Sequence, residues 1–315
     1  VTARKLLVAG ARQFSLGHAV LQELATTSPD LAVLAIDVEP ILDSPPSIIK
    51  CRIELNPFRY DGGFDSWSSY VHGEVKSLAQ IEGPSRPIQG VLLAVGKYHV
   101  GRYEESAATE RADVLGCGIL GKMEVVHSAM RFNNECGFEN REELFVLDVG
   151  SLHSIRHSSH RAIYNTAKAA GIEFCRVLAR GSEIRGAVHL APGPMDTPML
   201  HWNHWVLKEK GDPNFLDLVR LELPALYCRI FREGDQASLE EAVENLGVDR
   251  REIQPVFDRY RDRRKMALES EDGITAPEVL ARFLLRSFLD ASSTESGILE
   301  VTSPRGQMSV IRKPF

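Results

Sequence analysis

Seven short apolar runs recur along this 315-residue chain: Lys5–Ala9, Leu31–Ile36, Ile48–Leu55, Ile88–Val95, Leu144–Val149, Arg185–Leu190 and Gly297–Thr302. Most are separated by stretches with helical periodicity. Strands that alternate with helices argue for a parallel sheet, because parallel neighbours need a long crossover connection. The expected fold is therefore α/β, a doubly wound, Rossmann-type parallel sheet of about seven strands. Ligands of such sheets lie beyond the carboxyl ends of the strands, so residues that close each run are the first candidates for function.

One stretch carries chemistry on its face. Leu144–Val149 reads as a buried strand ending at Gly150-Ser151, and after a His-rich connection a helical stretch carries Tyr164 and Lys168. Residues four apart share one face of a helix. A nearby ammonium favours phenolate and pulls a tyrosine down from its ordinary value near 10. Ser151, at a strand end, can donate a hydrogen bond to the oxygen that Tyr164 protonates or deprotonates. Together they form a general acid/base set for a carbonyl/alcohol pair.

At the other end of the chain, Lys5–Ala9 is closed by Gly10 and followed by Ala11-Arg12-Gln13-Phe14-Ser15-Leu16-Gly17 and a helical pattern. Strand, glycine-bearing turn and helix open a dinucleotide-binding unit. A glycine there lets the backbone approach a pyrophosphate, and the helix N-terminus supplies free N–H groups. Asp37 ends the second run, where an acid accepts from both ribose hydroxyls of NAD and repels a 2′-phosphate. Arg12 would favour NADP instead; NAD is the expected cofactor and NADP the alternative.

Ser151 followed by Tyr164-Asn165-Thr166-Ala167-Lys168 resembles the Ser…Tyr-x-x-x-Lys signature of the short-chain dehydrogenase/reductases, with the family's thirteen-residue gap. The resemblance runs from Lys5 to Arg305. Gly10, Arg12, Ser15, Leu16 and Gly17 then correspond to the cofactor loop, in a form similar to the Gly-then-Ser-Leu/Ile loop of divergent members. Leu93-Ala94-Val95-Gly96 stands where the family has Asn-Asn-Ala-Gly, keeping only the glycine. Ala191-Pro192-Gly193-Pro194-Met195-Asp196-Thr197 resembles the Pro-Gly-x-x-x-Thr segment, which implies nicotinamide contacts for Pro192, Gly193 and Thr197. Tyr164 is implied as the acid/base, Lys168 as the group that lowers its pKa and binds the nicotinamide ribose, and Ser151 as the group that orients the carbonyl.

The departures are as informative. Glu105–Arg131 reads as one long helix, and Gly118 falls where the family carries an active-site Asn at a kinked position. A glycine keeps the carbonyl and eases a kink but loses the side chain. Residues 200–272 form a helical insert where the family has a short loop, expected to be a lid inside a single domain spanning 1–315. Trp202 and Trp205 are candidates for an apolar substrate wall, and His153 for a substrate contact. His153, His157 and His160, like His201 and His204, lack a further ligand at metal spacing, so no metal site is expected.

These readings imply a reversible hydride transfer between NAD(P)(H) and a ketone or secondary alcohol on a bulky, apolar small molecule, such as a secondary-metabolite ketone. Two alternatives stand beside it: a non-reductive isomerase, lyase or cyclase on the same fold, and a non-catalytic dinucleotide-binding protein. The formal net charge of -6 argues against nucleic-acid or anionic-membrane partners, and no apolar run approaches the ~20 residues of a membrane span. Five scattered cysteines without ligand spacing, and a chain that opens directly on a strand, give a cytoplasmic expectation without a signal peptide. The helices Glu105–Arg131 and His160–Arg180 resemble those through which the family associates, implying a homodimer or homotetramer.

Overall fold

The computed structural model describes residues 5–11, 15–28, 31–38, 41, 47–81, 83, 85–97, 102–156, 161–181, 183–195, 197, 273–288, 296–304 and 307–315, with Glu240, Glu244, Arg251, Asp258, Lys265 and Glu269. The chain divides into two compact units: Val1–Pro192 with Pro277–Val301 and Val310–Phe315, and Gly193–Ala276 with Thr302–Ser309.

The first unit is built on an eight-stranded sheet: β1 (Lys5–Ala9), β2 (Ala32–Asp37), β3 (Ile48–Arg52), β4 (Ile88–Leu93), β5 (Phe145–Val149), β6 (Gly186–Pro192), β7 (Gly297–Thr302) and β8 (Ser309–Lys313). Their order is β3-β2-β1-β4-β5-β6-β7-β8, and β1 to β7 pair in parallel. The order reverses between β1 and β4. Gly10 and Gly96 lie just past that switch point, where crevices open in such sheets.

The helices are α1 (Leu16–Thr27), α2 (Gly63–Ile81), α3 (Ala108–Leu115), α4 (Gly121–Glu135), the short α5 (Asn140–Glu143), α6 (Ala162–Arg180) and α7 (Pro277–Phe288). Trp67 and Val71 of α2, Val125 and Phe132 of α4 and Cys175 of α6 share a core with Leu7, Leu34, Val91 and Val146 of the sheet. Helices α1 and α7 pack together. Lys5 is wholly buried at the start of β1. Its ammonium donates to the carbonyls of Ala79 (2.7 Å) and Gly83 (2.6 Å), so a strand residue caps the negative end of α2. Asn133 bridges the N–H and C=O of Ile88 at 2.8 and 2.9 Å, tying α4 to the start of β4.

The expected parallel sheet is present in β1 to β7, with β8 added at its edge; β8 escapes a search for apolar runs because its residues are mostly exposed and include Arg312 and Lys313, the charged pattern that protects a sheet edge. Two expectations are corrected. Strand β3 ends at Arg52 rather than Leu55. There Ile53 N–H donates to Asp37 C=O (2.9 Å), and Glu54 C=O accepts from the Trp67 indole (2.8 Å). The stretch Glu105–Arg131 is not one regular helix. It starts at Ala108, where the Glu110 carboxylate accepts from Ala107 N–H (2.8 Å), and a π-turn over Gly116–Leu120 separates α3 from α4. Glycines let this turn pack against the stretch after β3: a side chain at Gly116 or Gly121 would overlap Asn56 or the Leu55 carbonyl.

In the second unit, Met195 and Gly273 form parallel bridges with Thr275 and Ser303, and the hydroxyls of Thr275 and Ser303 meet at 2.6 Å. The insert 200–272 falls in this unit and, with Trp202 and Trp205, lies outside the described residues except for six helical positions. Among the described residues no helix is long and apolar enough to cross a membrane.

Candidate active site

The end of β1 closes on its neighbours before it turns. Gly10 N–H donates to Ile36 C=O at 2.9 Å, and Ala94 N–H donates to Ala9 C=O at 2.8 Å. Gly10 has a φ of +87°, and a Cβ there would lie 2.5 Å from the carbonyl carbon of Ala94, so no other residue fits. Ser15 caps α1, accepting from His18 N–H (3.1 Å) and donating to Gly10 C=O (3.1 Å). Leu16 and Gly17 are buried in the first turn, and a side chain at Gly17 would overlap the Gly10 carbonyl. The loop and the helix start are thus packed backbone on backbone. Arg12 lies outside the described residues.

Asp37 is buried at the end of β2 and sits opposite Arg52 in the β2–β3 register. The Arg52 guanidinium donates to Val38 C=O (3.0 Å), which leaves a cation beside the acid that sequence reading treats alone.

Ser151, Tyr164 and Lys168 come together at the end of β5. The strand delivers Ser151 in an extended conformation, and a single 3-10 turn (Leu152–Ser154) comes next, capped by Ser151 Oγ accepting from His153 N–H (3.2 Å). The Ser151 hydroxyl also hydrogen-bonds Tyr164. Both Tyr164 and Lys168 are buried on α6. The Lys168 ammonium stands 5.6 Å from the centre of the Tyr164 ring and donates to Val149 C=O at 3.1 Å. A Cβ at Gly96 would lie 3.1 Å from that ammonium, so β4 and α6 approach closely here.

Burial pushes the Tyr164 phenol above its ordinary value; the Ser151 hydrogen bond and the charges of Lys122 and Arg161 act against it. Burial likewise lowers the Lys168 ammonium, with the Asp148 carboxylate opposing. The phenol therefore rests protonated at neutral pH. His153 sets its ring edge-on to Tyr164 at 6.2 Å and meets the Arg161 guanidinium through Nε2. His157 and His160 lie outside the described residues. Pro192 ends β6 in the first unit; Gly193 begins the second, where Thr197 is buried and its N–H donates to Met195 C=O (2.8 Å).

Gly118 sits in the middle of the π-turn, where its missing side chain leaves Ala167 of α6 3.3 Å from the position of a Cβ. Sequence reasoning misses the group that lies behind it. Lys122, Asp148, Ser154 and His189 are all buried and hydrogen-bonded to one another. Ligand atoms of Asp148, Cys175 and His189 lie within 4.8 Å of one another. The Lys122 ammonium, however, takes Asp148 Oδ1, and burial pushes the Cys175 thiol well up; the group is an ion pair with an imidazole rather than a ligand set. An acid and an imidazole inside otherwise apolar runs are the available signal.

No family model matches this sequence, and no curated protein does. Solved structures do match. A short chain dehydrogenase family protein from Francisella tularensis aligns with a TM-score of 0.62 and 15% identity over 97% of this chain and 99% of its own. A variant of actinorhodin polyketide ketoreductase with NADPH gives 0.63 and 14%, over 96% and 97%. 4-Hydroxyisoleucine dehydrogenase complexed with NADH gives 0.58 and 13%, over 94% and 96%. With its parallel sheet and its Ser-Tyr-Lys group at the end of β5, the chain has the fold of the short-chain dehydrogenase/reductases.

Proposed function

We propose that the protein is an NAD(P)-dependent oxidoreductase that interconverts a ketone and a secondary alcohol on a bulky, mainly apolar small molecule. The observation that carries this reading is the hydrogen-bonded Ser151–Tyr164 pair with the Lys168 ammonium above the tyrosine ring. The fold neighbours that hold NADH and NADPH support the cofactor class.

The residues present fit such a cofactor. Gly10 and Gly96 put no side chain at the ends of β1 and β4, and Asp37 places a carboxylate at the end of β2, where a ribose would be held. Pro192, at the end of β6, would meet the nicotinamide amide, and Lys168 its ribose. The bound nicotinamide supplies the hydride. Ser151 donates a hydrogen bond to the substrate carbonyl and fixes its oxygen next to the phenol. Tyr164, protonated at rest, gives its proton to that oxygen as negative charge develops on it. The positive charges of Lys122 and Arg161 then stabilise the phenolate that remains. In the oxidative direction the same phenolate takes the alcohol proton.

His153, beside Tyr164, is a substrate contact in this reading. Exposed Met123 on α4 and Val177 on α6 support association into a homodimer or homotetramer.

The test is reduction of bicyclic and larger ketones with NADH and with NADPH, following nucleotide oxidation and alcohol together. One alcohol per nucleotide is expected, with Tyr164→Phe slower by about 10²–10⁴-fold. Conversion of substrate without nucleotide oxidation would replace the reductase by an isomerase, lyase or cyclase. Failure to bind either nucleotide would remove the reading altogether.

A further inference from the structure

Behind the site runs an unbroken chain of hydrogen bonds that begins at one member of the Ser-Tyr-Lys group and ends at another. Ser154 Oγ accepts from Ser151 N–H (3.1 Å) and also contacts the Ser151 carbonyl. His189 Nε2 meets Ser154 Oγ at 3.0 Å, and His189 Nδ1 meets Asp148 Oδ2 at 2.8 Å. The other carboxylate oxygen, Oδ1, receives the Lys122 ammonium, which also donates to Val149 C=O at 3.0 Å. Lys168 donates to that same carbonyl at 3.1 Å.

The chain has the marks of a built feature. Asp148 and His189 are direct register partners on β5 and β6, so neighbouring strands bring them side by side across 41 residues of sequence. Two glycines make room: a side chain at Gly150 would overlap His189 Nε2, and one at Gly171 would overlap Asp148 Oδ2. A buried ion pair is seldom the most stable filling for a core, and apolar residues of similar volume often do better. Its retention here coincides with its two ends. One holds the backbone on both sides of Ser151; the other shares the acceptor of Lys168.

Resting on the oxidoreductase reading above, we infer that Lys122, Asp148, His189 and Ser154 are positioning residues that set Ser151 and Lys168 relative to each other as one hydrogen-bonded unit. Burial lowers the Lys122 ammonium and Lys168 opposes its charge, while Asp148 favours it. Burial alone would raise the Asp148 carboxyl, but Lys122, His189 and Lys168 outweigh it and hold it well below the ordinary carboxylate range. Among the described residues, the groups that act on Tyr164 are Ser151 and His153 from the turn after β5, Lys122 from α4, Arg161 at the N-cap of α6 and Lys168 from α6. Within the buried chain, the Lys122 charge opposes the rise that burial gives the phenol.

The experiment measures ketone reduction by the wild type, Ser154→Ala, Lys122→Met, Lys122→Arg and the Ser154→Ala/Lys122→Met double variant, with nucleotide binding followed by fluorescence. Each of Ser154→Ala and Lys122→Met should lower kcat by about 10–100-fold, the scale of a misplaced catalytic group, and Ser154→Ala should leave nucleotide affinity within about threefold. Because both cut one chain, the double variant should be no slower than the worse single one. Lys122→Met should also move the acid/base limb of the kcat/KM pH profile upward, Lys122→Arg should restore it, and Ser154→Ala should leave it in place. Losses that multiply, or Ser154→Ala turning over at the wild-type rate, overturn the inference; Ser154→Ala removes only a hydroxyl and decides the matter even if the lysine variants do not fold. A wild type that oxidises neither nucleotide sinks the oxidoreductase reading itself, and this inference with it.

Discussion

Lys122 and Lys168 donate to a single acceptor, the carbonyl of Val149, at 3.0 and 3.1 Å. Two buried ammonium groups on one carbonyl repel each other, and the arrangement holds because the Asp148 carboxylate lies beside them. The last peptide of β5 is therefore where α4 and α6 are pinned to the sheet, immediately before Ser151.

Asp148→Asn should destabilise the protein by about 3–5 kcal/mol, because it leaves a buried ammonium without its counter-charge. The pH dependence has a defined sign. The folded carboxyl titrates below the unfolded value, near 4, so its stabilisation is fully present above about pH 5 and is lost as pH falls towards the folded value. Asp113, held down by Arg59 and Lys97, acts in the same direction. The gap between urea midpoints at pH 7 and pH 3 should therefore be smaller in Asp148→Asn than in wild type; an equal gap in the two would show that the ion pair is not the element that fails in acid.

Gly17→Ala places a methyl against the Gly10 carbonyl. The helix start must then move away from the strand end, which costs about 1–3 kcal/mol as an overpacked contact. Nucleotide affinity should fall as well, by about tenfold or more, since the displaced backbone is the one meant to face the pyrophosphate. Isothermal titration with NADH and NADPH beside a thermal melt reads both; a variant that binds as wild type would remove the Gly10–Gly17 loop from the cofactor site.

Asp37→Asn removes the charge that repels a 2′-phosphate while leaving Arg52 next to it. The ratio of NADPH to NADH affinity should rise by about tenfold, or about 1.4 kcal/mol. An unchanged ratio would place the adenine ribose elsewhere.

How much of this is legible in the sequence depends on the range of the interactions. Ser151, Tyr164 and Lys168 sit on one strand–turn–helix, so their spacing alone brings them together. Gly10, Asp37 and Gly96 mark strand ends, and strand ends are visible as breaks in apolar runs. The buried chain is different. Asp148 and His189 meet only because β5 and β6 are neighbours, and Lys122 reaches them from α4; none of these pairings is written in local spacing. The visible sign is that each stands in an apolar segment that cannot hold a polar group without a partner. Arg161 reads locally as a helix-start residue, and its charge becomes relevant only once the helix points that start at His153 and Tyr164. Lys5 reads as a polar strand opening, and its role as a cap for α2 depends on a contact 74 residues away.

The π-turn between α3 and α4 works as a phase corrector. In an unbroken α-helix, Val114 and Lys122 would point about 80° apart, because eight residues at about 100° each overshoot two full turns. One surplus residue absorbed in the turn leaves them within about 20° of a common direction. Val114 then reaches Ile163 and Ala167 of α6, while Lys122, two turns on, reaches Asp148. Residue count in Gly116–Leu120 thus sets the rotational registry of everything after it. A single deletion there would act on the buried lysine as a shift of reading frame acts on a message, changing no chemistry locally and misdirecting every later side chain of the helix.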